Sequence, residues 1–204
     1  LNDLNPDLFV VVAFSILPES IINIPKYGSI NIHPSILPKY RGASPIQYAL
    51  LNGDRETGVS IINLTKNIDA GNILDQKKIF IDKNSTFGDM HEKLSVLGSE
   101  LLIEVISKLE TKRIYPNIQD ESLKTLAPKI KKSDLKVCWN QPSNVIHNKI
   151  RAFDPYPGAY SFLNNRRIKL FESSEYITDN IDSSIEPGEI IIKNELLLIK
   201  AKNK

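Results

Sequence analysis

The chain has few of the residues from which metal centres and disulfide frameworks are built. Its 204 residues include one cysteine, Cys138, and three histidines that lie far apart. A single cysteine forms no internal disulfide, and the histidines do not have the spacing of a zinc site. Neither a GxGxxG loop nor a Walker A loop is present, so no motif indicates a dinucleotide or nucleotide triphosphate. We therefore expect no metal.

Long apolar runs and a strong net charge are also missing. No apolar stretch approaches the roughly 18 residues of a membrane-spanning helix, and the N-terminus lacks the basic region of a signal peptide. The net charge of +2 is too small to indicate a nucleic-acid partner by itself. With 41% hydrophobic and 25% charged residues, the composition is typical of a globular protein. We expect no membrane association and a cytoplasmic location.

The two ends of the sequence are unusual. The chain begins with Leu1, and its only methionine is Met90. Its last residues, ELLLIKAKNK, are typical of a strand followed by a turn. We therefore expect an internal fragment of a longer protein, which lacks the first part of one domain and the end of another.

The first 115 residues alternate between strand and helix patterns. The β-branched run at residues 7–14 is typical of a strand buried on both faces of a parallel sheet. Pro18 opens a short helix and residues 29–33 form the next strand, which together predict a βαβ unit. The later elements are a helix over residues 45–51, strands over 58–64 and 73–81, and a long helix capped by Thr86 and Asp89.

The pattern changes after residue 115. Residues 116–133 contain two prolines and many polar side chains, which predicts a linker. Residues 134–204 contain short β segments separated by turn residues, a pattern typical of a small barrel. We therefore predict a catalytic domain at residues 1–115 and an incomplete barrel domain at residues 134–204.

Asn31 and His33 stand out at the end of the second strand. Residues two apart on a strand share a face, so both side chains project together. They lie at the carboxyl end of the strand, which is where open α/β sheets bind ligands. Taken alone, however, an Asn-x-His pair more often caps the loop backbone with hydrogen bonds.

Asp69 is the third candidate catalytic residue, beside Asn31 and His33. It lies in a loop between two predicted strands, where an aspartate before a glycine is usually turn chemistry. Together, however, Asn31, His33 and Asp69 supply an acid/base pair and a hydrogen-bond donor for a developing oxyanion. We interpret the other histidines, His91 and His147, as structural.

Several stretches resemble one family. The run NIHPSILPKYRGASPI at residues 31–46 is similar to the signature of folate-dependent formyltransferases, and ETGVS at 56–60 and DAGNIL at 69–74 are similar to its next two motifs. PNIQDESLKTLAPKI at 116–130 and RAFDPYPG at 151–158 resemble the branch of the family that acts on methionyl-initiator tRNA. The resemblance extends over essentially the whole chain, in order.

The resemblance implies an α/β fold: a Rossmann-like formyltransferase domain, truncated at its N-terminus, followed by a partial OB-like β-barrel domain. It implies 10-formyltetrahydrofolate as co-substrate and Asn31, His33 and Asp69 as catalytic residues, with Asp69 orienting His33 and favouring its charged form. The implied folate-binding residues are Ser35, Ile36, Leu37 and Pro38. Ile36 stands where the family more usually has Leu, a near-isosteric change that we expect to be tolerated.

The resemblance also implies an enzyme that transfers a formyl group to the α-amino group of methionyl-initiator tRNA and so supports translation initiation. We expect a monomer whose partners are this tRNA and folate. The candidate tRNA contacts are Arg41, Lys129, Lys131 and Lys132.

Three other functions remain open at this point. The nearest is a formyltransferase that acts on a nucleotide-linked amino sugar, since that branch shares the asparagine–histidine signature and the aspartate loop. A non-catalytic RNA-binding module would explain the basic second part but not the Asn31, His33 and Asp69 set. A hydrolase that deformylates folate would use water instead of an amine.

Overall fold

The computed structural model describes residues 2–13, 17–176, 178 and 184–202. Its main sheet has four strands in the order β1 (Phe9–Val11), β2 (Ser29–His33), β3 (Glu56–Asn63) and β4 (Ile73–Phe80). β1 and β2 are parallel, whereas β3 is antiparallel to both β2 and β4. The short helix α1 (Glu19–Ile22) connects β1 to β2, which confirms the predicted βαβ unit.

The first strand is shorter and more exposed than the sequence predicts. The pattern at residues 7–14 predicts a strand buried on both faces, but β1 has three residues, and Val10 and Val12 are 41% and 58% exposed. Within the described residues β1 pairs only with β2, so one of its edges is uncovered there. Phe14 lies outside the described residues.

Two helices of the first part begin where the sequence predicts. The first, α2 (Pro45–Leu51), has proline in its first turn, where a missing N–H is harmless. The second, α3 (Phe87–Glu110), has a capping box: Thr86 Oγ1 accepts from the Asp89 N–H, and the Asp89 carboxylate accepts from the Thr86 N–H.

The long helix α3 packs one face against the sheet and so builds the core beneath the site. Its Leu94, Leu101 and Val105 are buried. Gly98 brings the helix close to β2, because a Cβ at this position would lie 3.2 Å from Ile32 Cγ2. The helix therefore supports the strand that carries Asn31 and His33.

Within the predicted linker at residues 116–133, residues 117–127 lie against the first part. The Asn117 N–H donates to the Ile73 carbonyl oxygen, and the Ile73 N–H donates to the Asn117 carbonyl oxygen, both at 2.8 Å. The Arg41 N–H donates to Thr125 O at 3.0 Å, and the Ala127 N–H donates to Arg41 O at 2.8 Å. We call residues 117–127 the strap, because they run from the start of β4 to the loop after β2.

The second part contains α4 (Ser143–Ala152) and two hairpins, β5 (Ala159–Leu163) with β6 (Arg166–Leu170) and β7 (Ile190–Lys193) with β8 (Leu196–Ile199). Asn164 and Asn165 form the turn between β5 and β6, and their φ angles of 48° and 62° are positive, as a type I′ turn requires. The described residues form two separate two-stranded sheets rather than a closed barrel.

The KVCW segment (residues 136–139) is one of the short β segments expected in the second part, but it contributes only an isolated bridge between Lys136 and Tyr160. Val137 is buried and its N–H donates to Tyr160 O at 2.8 Å, and Trp139 Nε1 donates to Ser161 Oγ at 2.9 Å.

The two parts pack on each other through α4. His147 is buried, and its Nδ1 and Nε2 lie 2.9 Å from Ser173 Oγ and 3.1 Å from Lys83 O. Arg151 is also buried and donates to Ser85 O at 3.0 Å. These contacts agree with the interpretation of His147 as a structural residue.

Candidate active site

The predicted set of Asn31, His33 and Asp69 converges at the end of β2. Asn31 and His33 share one face of the strand and are 8% and 4% exposed. Asn31 Nδ2 donates to Asp69 Oδ1 at 3.5 Å, and His33 Nδ1 lies 3.5 Å from Asp69 Oδ2. One carboxylate therefore faces both side chains.

The loop between β3 and β4 holds Asp69 in a tight turn. Asp69 has φ of +49°, in the left-handed region that aspartate tolerates better than most residues. Its Oδ2 accepts the Gly42 N–H at 2.8 Å. A Cβ at Gly71 would overlap Asn63 O, so the turn needs glycine at that position. The DAG sequence thus aims the carboxylate at β2.

The tautomer of neutral His33 follows from its neighbours. His33 Nε2 lies 2.9 Å from the Tyr40 carbonyl oxygen. Because a carbonyl oxygen only accepts, Nε2 carries the hydrogen, and Nδ1 presents its lone pair toward Asp69. His33 can therefore accept a proton at Nδ1, beside a carboxylate that stabilises the resulting cation.

Burial lowers the pKa of His33 below its ordinary value. The Asp69 carboxylate and the hydrogen bond to Tyr40 O act in the opposite direction but do not outweigh burial. The sequence predicts that Asp69 favours the charged form, and its effect has that sign. The buried site nevertheless favours the neutral imidazole, because the free-energy cost of burying the cation exceeds the stabilisation that Asp69 provides.

A cavity of about 800 Å³ opens beside these residues. Its wall includes Asn31, His33 and Asp69 from the sheet side and one face of α3 from the other. The exposed His91 belongs to that helical face, with its ring 5.7 Å from the ring of Phe87. A pocket of this size is within the range that binds small molecules.

The predicted folate-binding residues lie next to this cavity rather than on its wall. Among the described residues the wall includes Pro34 but not Ser35, Ile36, Leu37 or Pro38. Ser35 is fully buried, and its hydroxyl donates to Lys39 O at 2.7 Å. The Leu37 N–H donates to Ser60 Oγ at 3.1 Å. The loop is thus fastened to β3, and its role in folate binding stays a prediction.

The candidate tRNA contacts differ in their surroundings. Lys129, Lys131 and Lys132 are exposed. Arg41 is 4% exposed, and its guanidinium donates to Gln119 and to Glu121, with the shortest Arg41–Glu121 distance at 2.6 Å. Arg41 holds the pKa of Glu121 below its ordinary value by this hydrogen bond. To reach a phosphate, Arg41 would have to leave these partners.

Sequence reasoning missed Gln119, which links Arg41 to the Asp69 loop. Its Nε2 donates to the carbonyl oxygens of Asp69 and Gly71 at 2.8 and 2.7 Å. The QDESL run contributes to the family resemblance but indicates no role for this glutamine. Only the placement of the strap beside the loop reveals the contact.

Within the part of the chain that the structure describes, no group of three or more histidine, cysteine or carboxylate side chains has the arrangement of a metal site. In that same part, none of the helices combines the length and the apolar character needed to cross a membrane.

Two family models match the chain. The model described as "Formyl transferase" matches residues 1–106, and "Formyl transferase, C-terminal domain" matches residues 129–204. The chain is 44% identical to a methionyl-tRNA formyltransferase of Thermodesulfovibrio yellowstonii, over 97% of this chain and 63% of that protein. It is 45% identical to one of Thermotoga neapolitana, over 93% of this chain and 60% of that protein. The chain thus spans less than two thirds of the length of these relatives.

Solved structures are similar as well. HypX from Aquifex aeolicus, in complex with tetrahydrofolic acid, has a TM-score of 0.76 at 21% identity, over 97% of this chain and 34% of HypX, which shows a common fold. WlaRD, a sugar 3N-formyl transferase in the presence of dTDP and 5-N-formyl-THF, has a TM-score of 0.73 at 25% identity, over 100% of this chain and 73% of WlaRD. The chain belongs to the formyltransferase family, with a Rossmann-like formyltransferase domain followed by the family's C-terminal domain.

Proposed function

We propose that this protein transfers a formyl group from 10-formyltetrahydrofolate to the α-amino group of methionyl-initiator tRNA. The observation that carries the proposal is the convergence of Asn31, His33 and Asp69 on one wall of the cavity. The relatives named methionyl-tRNA formyltransferase support this choice of acceptor, at 44% and 45% identity. Because the chain spans 60–63% of their length, the proposal concerns the whole protein.

His33 and Asp69 suit the removal of a proton from the acceptor. An amine that attacks a formyl carbon forms a C–N bond and must then lose a proton. The neutral His33 ring offers a lone pair at Nδ1, and its lowered pKa keeps that lone pair free near neutral pH. Asp69 Oδ2 lies beside the same atom and stabilises the cation that forms.

Asn31 suits the stabilisation of negative charge on the formyl oxygen. That oxygen gains charge as the amine attacks, and the carbonyl re-forms when the bond from the formyl carbon to the folate nitrogen breaks. The folate nitrogen keeps the electron pair of that bond and takes up the proton that His33 removed from the amine. Asn31 lines the cavity, and its Nδ2 makes a long hydrogen bond of 3.5 Å to Asp69, so a better acceptor could replace that bond. A donor at this position acts as an oxyanion hole.

The cavity suits the folate co-substrate. Its volume of about 800 Å³ accommodates a ligand of that size, and the catalytic set lies on its wall. We propose that Ser35, Ile36, Leu37 and Pro38 shape the entrance from behind Pro34 rather than lining the cavity. Proton transfer and hydrogen bonding are the steps that this proposal assigns to the protein, and neither requires a metal.

We further propose that basic residues outside the cavity contact the tRNA phosphates. Lys129, Lys131 and Lys132 are exposed at the end of the linker region, and Arg166, Arg167 and Lys169 are exposed on β6. Such clusters supply the electrostatic part of nucleic-acid binding. A role in translation initiation agrees with the expected cytoplasmic location and with a monomer that uses one extended surface.

The alternative acceptor is a nucleotide-linked amino sugar. The likeness to WlaRD, a sugar 3N-formyl transferase, favours it at 25% identity over the whole of this chain. The same catalytic set serves both acceptors, because each presents an amine to the formyl group. The acceptor, not the chemistry, therefore distinguishes the two functions.

The test uses the protein made from its complete gene, with 10-formyltetrahydrofolate and either charged initiator tRNA or a nucleotide-linked amino sugar. We expect formyl on the methionyl-tRNA. Formyl transfer to the sugar would agree with the proposed catalytic residues but would show that methionyl-tRNA is not the acceptor. Folate binding without transfer to either amine would reject both transferase functions.

A further inference from the structure

We propose that Gln119, in the strap, is a positioning residue that fixes the backbone of the loop carrying Asp69. The expected effect of Gln119 on kcat rests on the proposed function. The contacts that support its positioning role do not depend on that function. Among the described residues, Gln119 hydrogen-bonds to the Arg41 guanidinium and to the backbone carbonyls of Asp69 and Gly71, so we expect it to act through the Asp69 backbone and not on the substrate.

The amide of Gln119 is buried and fully used. The residue is 6% exposed, and its Nε2 donates to the carbonyl oxygens of Asp69 and Gly71 at 2.8 and 2.7 Å. Its Oε1 accepts from Arg41 Nε at 3.0 Å and from Arg41 Nη2 at 2.7 Å. Carbonyls only accept and a guanidinium only donates, so the amide has a single satisfied orientation.

The loop that Gln119 binds needs such support. Asp69 adopts a positive φ, a conformation that costs free energy even for aspartate, so contacts with its surroundings help to hold it. Gln119 fixes the carbonyls on both sides of Ala70, so this turn cannot rotate without breaking a buried hydrogen bond. The amide therefore determines where the Asp69 backbone lies.

The same strap also fixes the other side of Asp69. The backbone of Arg41 bonds to Thr125 and Ala127 of the strap, and the next N–H, that of Gly42, donates to Asp69 Oδ2 at 2.8 Å. Gln119 completes this frame by joining the Arg41 side chain to the Asp69 backbone. The 3.5 Å spacing between Asp69 and His33 thus depends on a segment that belongs to neither β2 nor the Asp69 loop.

Two substitutions separate the contacts of Gln119. Gln119→Met keeps the length of the side chain and removes all four hydrogen bonds. Gln119→Glu keeps the two bonds from Arg41 and replaces the two bonds to carbonyls by repulsion between oxygens. Gln141→Met is the matched control, since Gln141 is exposed in the second part.

Both Gln119 variants of the complete protein are expected to lower kcat for formyl transfer by about tenfold to a hundredfold, because a misplaced catalytic group loses most of its effect. KM for 10-formyltetrahydrofolate should change less than about twofold. A fall in kcat in Gln119→Met but not in Gln119→Glu would assign the effect to the bonds with Arg41, which Gln119→Glu keeps, and would overturn the inference. A lowered melting temperature with unchanged kcat would show a merely structural role and would also overturn it.

A second measurement needs no substrate and so separates this inference from the proposed function. The titration of the His33 ring is followed by NMR in the parent, Gln119→Met and Gln141→Met proteins. Asp69 is the charged group in contact with His33, while Lys66 and His91 line the same cavity from the β3–β4 loop and α3.

Displacement of Asp69 in Gln119→Met weakens its effect on His33, so the titration midpoint should move to lower pH, and Gln141→Met should match the parent. An unchanged or raised midpoint would overturn the inference. If Gln119→Met does not fold, Gln119→Glu decides the matter through kcat. If the parent transfers no formyl group, the NMR result still decides the position of Asp69.

Discussion

His33 Nδ1 lies 3.5 Å from Asp69 Oδ2, and the side chains of both residues are largely shielded from water, at 5% and 13% exposure. In this environment a charge on either group is only weakly screened, so each strongly affects the other. Burial nevertheless lowers the pKa of His33 despite the carboxylate. This arrangement suits the proposed role of His33 as a neutral base whose protonated form Asp69 stabilises.

Asn31→Ala is expected to lower kcat by about a hundredfold or more, which is the usual effect of losing one oxyanion donor. KM for folate should change little, because the amide acts mainly on charge that develops during the reaction. Steady-state kinetics of the intact enzyme measure both quantities. Asn84→Ala is the control, since Asn84 is exposed next to α3. Near-normal turnover of Asn31→Ala would remove Asn31 from the catalytic set.

Much of this site follows from the sequence because it depends on local rules. The alternation of side chains along β2 places Asn31 and His33 on one face, and β2 has the predicted bounds, Ser29–His33. The capping box at Thr86 and the proline at the start of α2 also fix helix starts locally. The family resemblance, rather than a local rule, predicts that Asp69 lies with Asn31 and His33.

Other features depend on contacts between distant segments, which no local rule reveals. Gln119 reaches the Asp69 loop only because the strap lies along the first part of the chain. The charge on Arg41 predicts a nucleic-acid contact, whereas the fold gives this side chain Gln119 and Glu121 as partners. The balance of burial and charge at His33 likewise depends on packing rather than on residue type.

Asp69→Asn tests the proposed protonation state of His33. The substitution removes a negative charge that raises the pKa of His33 and leaves burial, so that pKa should fall further. A neutral base gains activity as the pH rises through its pKa, so the acid limb of the kcat profile should move to lower pH. The maximal kcat should also fall, because protonated His33 loses its counter-charge.

The profile is measured from about pH 5 to 8, the range in which histidine ordinarily titrates. Asp82→Asn serves as the control, since the Asp82 side chain is 78% exposed and pairs with Lys93 at the surface. An acid limb that stays in place or moves to higher pH in Asp69→Asn would contradict the role given to this pair.

Replacing Lys129, Lys131 and Lys132 by Gln is expected to weaken tRNA binding and to flatten its salt dependence. Each phosphate contact that is lost should reduce the slope of log K against log salt by about one. Binding of initiator tRNA is measured across a series of salt concentrations. The matched variant replaces Lys77, Lys78 and Lys93, which form ion pairs with carboxylates in the first part. Equal slopes in the parent and in the Lys129, Lys131 and Lys132 variant would show that these lysines do not contact the tRNA phosphates.

Leu101→Ala tests whether α3 holds the sheet that carries the site. Leu101 is fully buried between this helix and the sheet, so its truncation removes apolar contacts and leaves a cavity. The free energy of unfolding should fall by about 2–5 kcal/mol. Ile103→Ala, two residues along the same helix, should change it by less than about 0.5 kcal/mol, because Ile103 is 69% exposed.

Urea unfolding of both variants measures the difference. Because helix propensity changes in the same direction for both substitutions, the comparison isolates burial from intrinsic helix stability. Equal destabilisation by the two variants would mean that α3 does not pack on the sheet through the Leu101 face. The support of β2, and with it the position of Asn31 and His33, would then need another source.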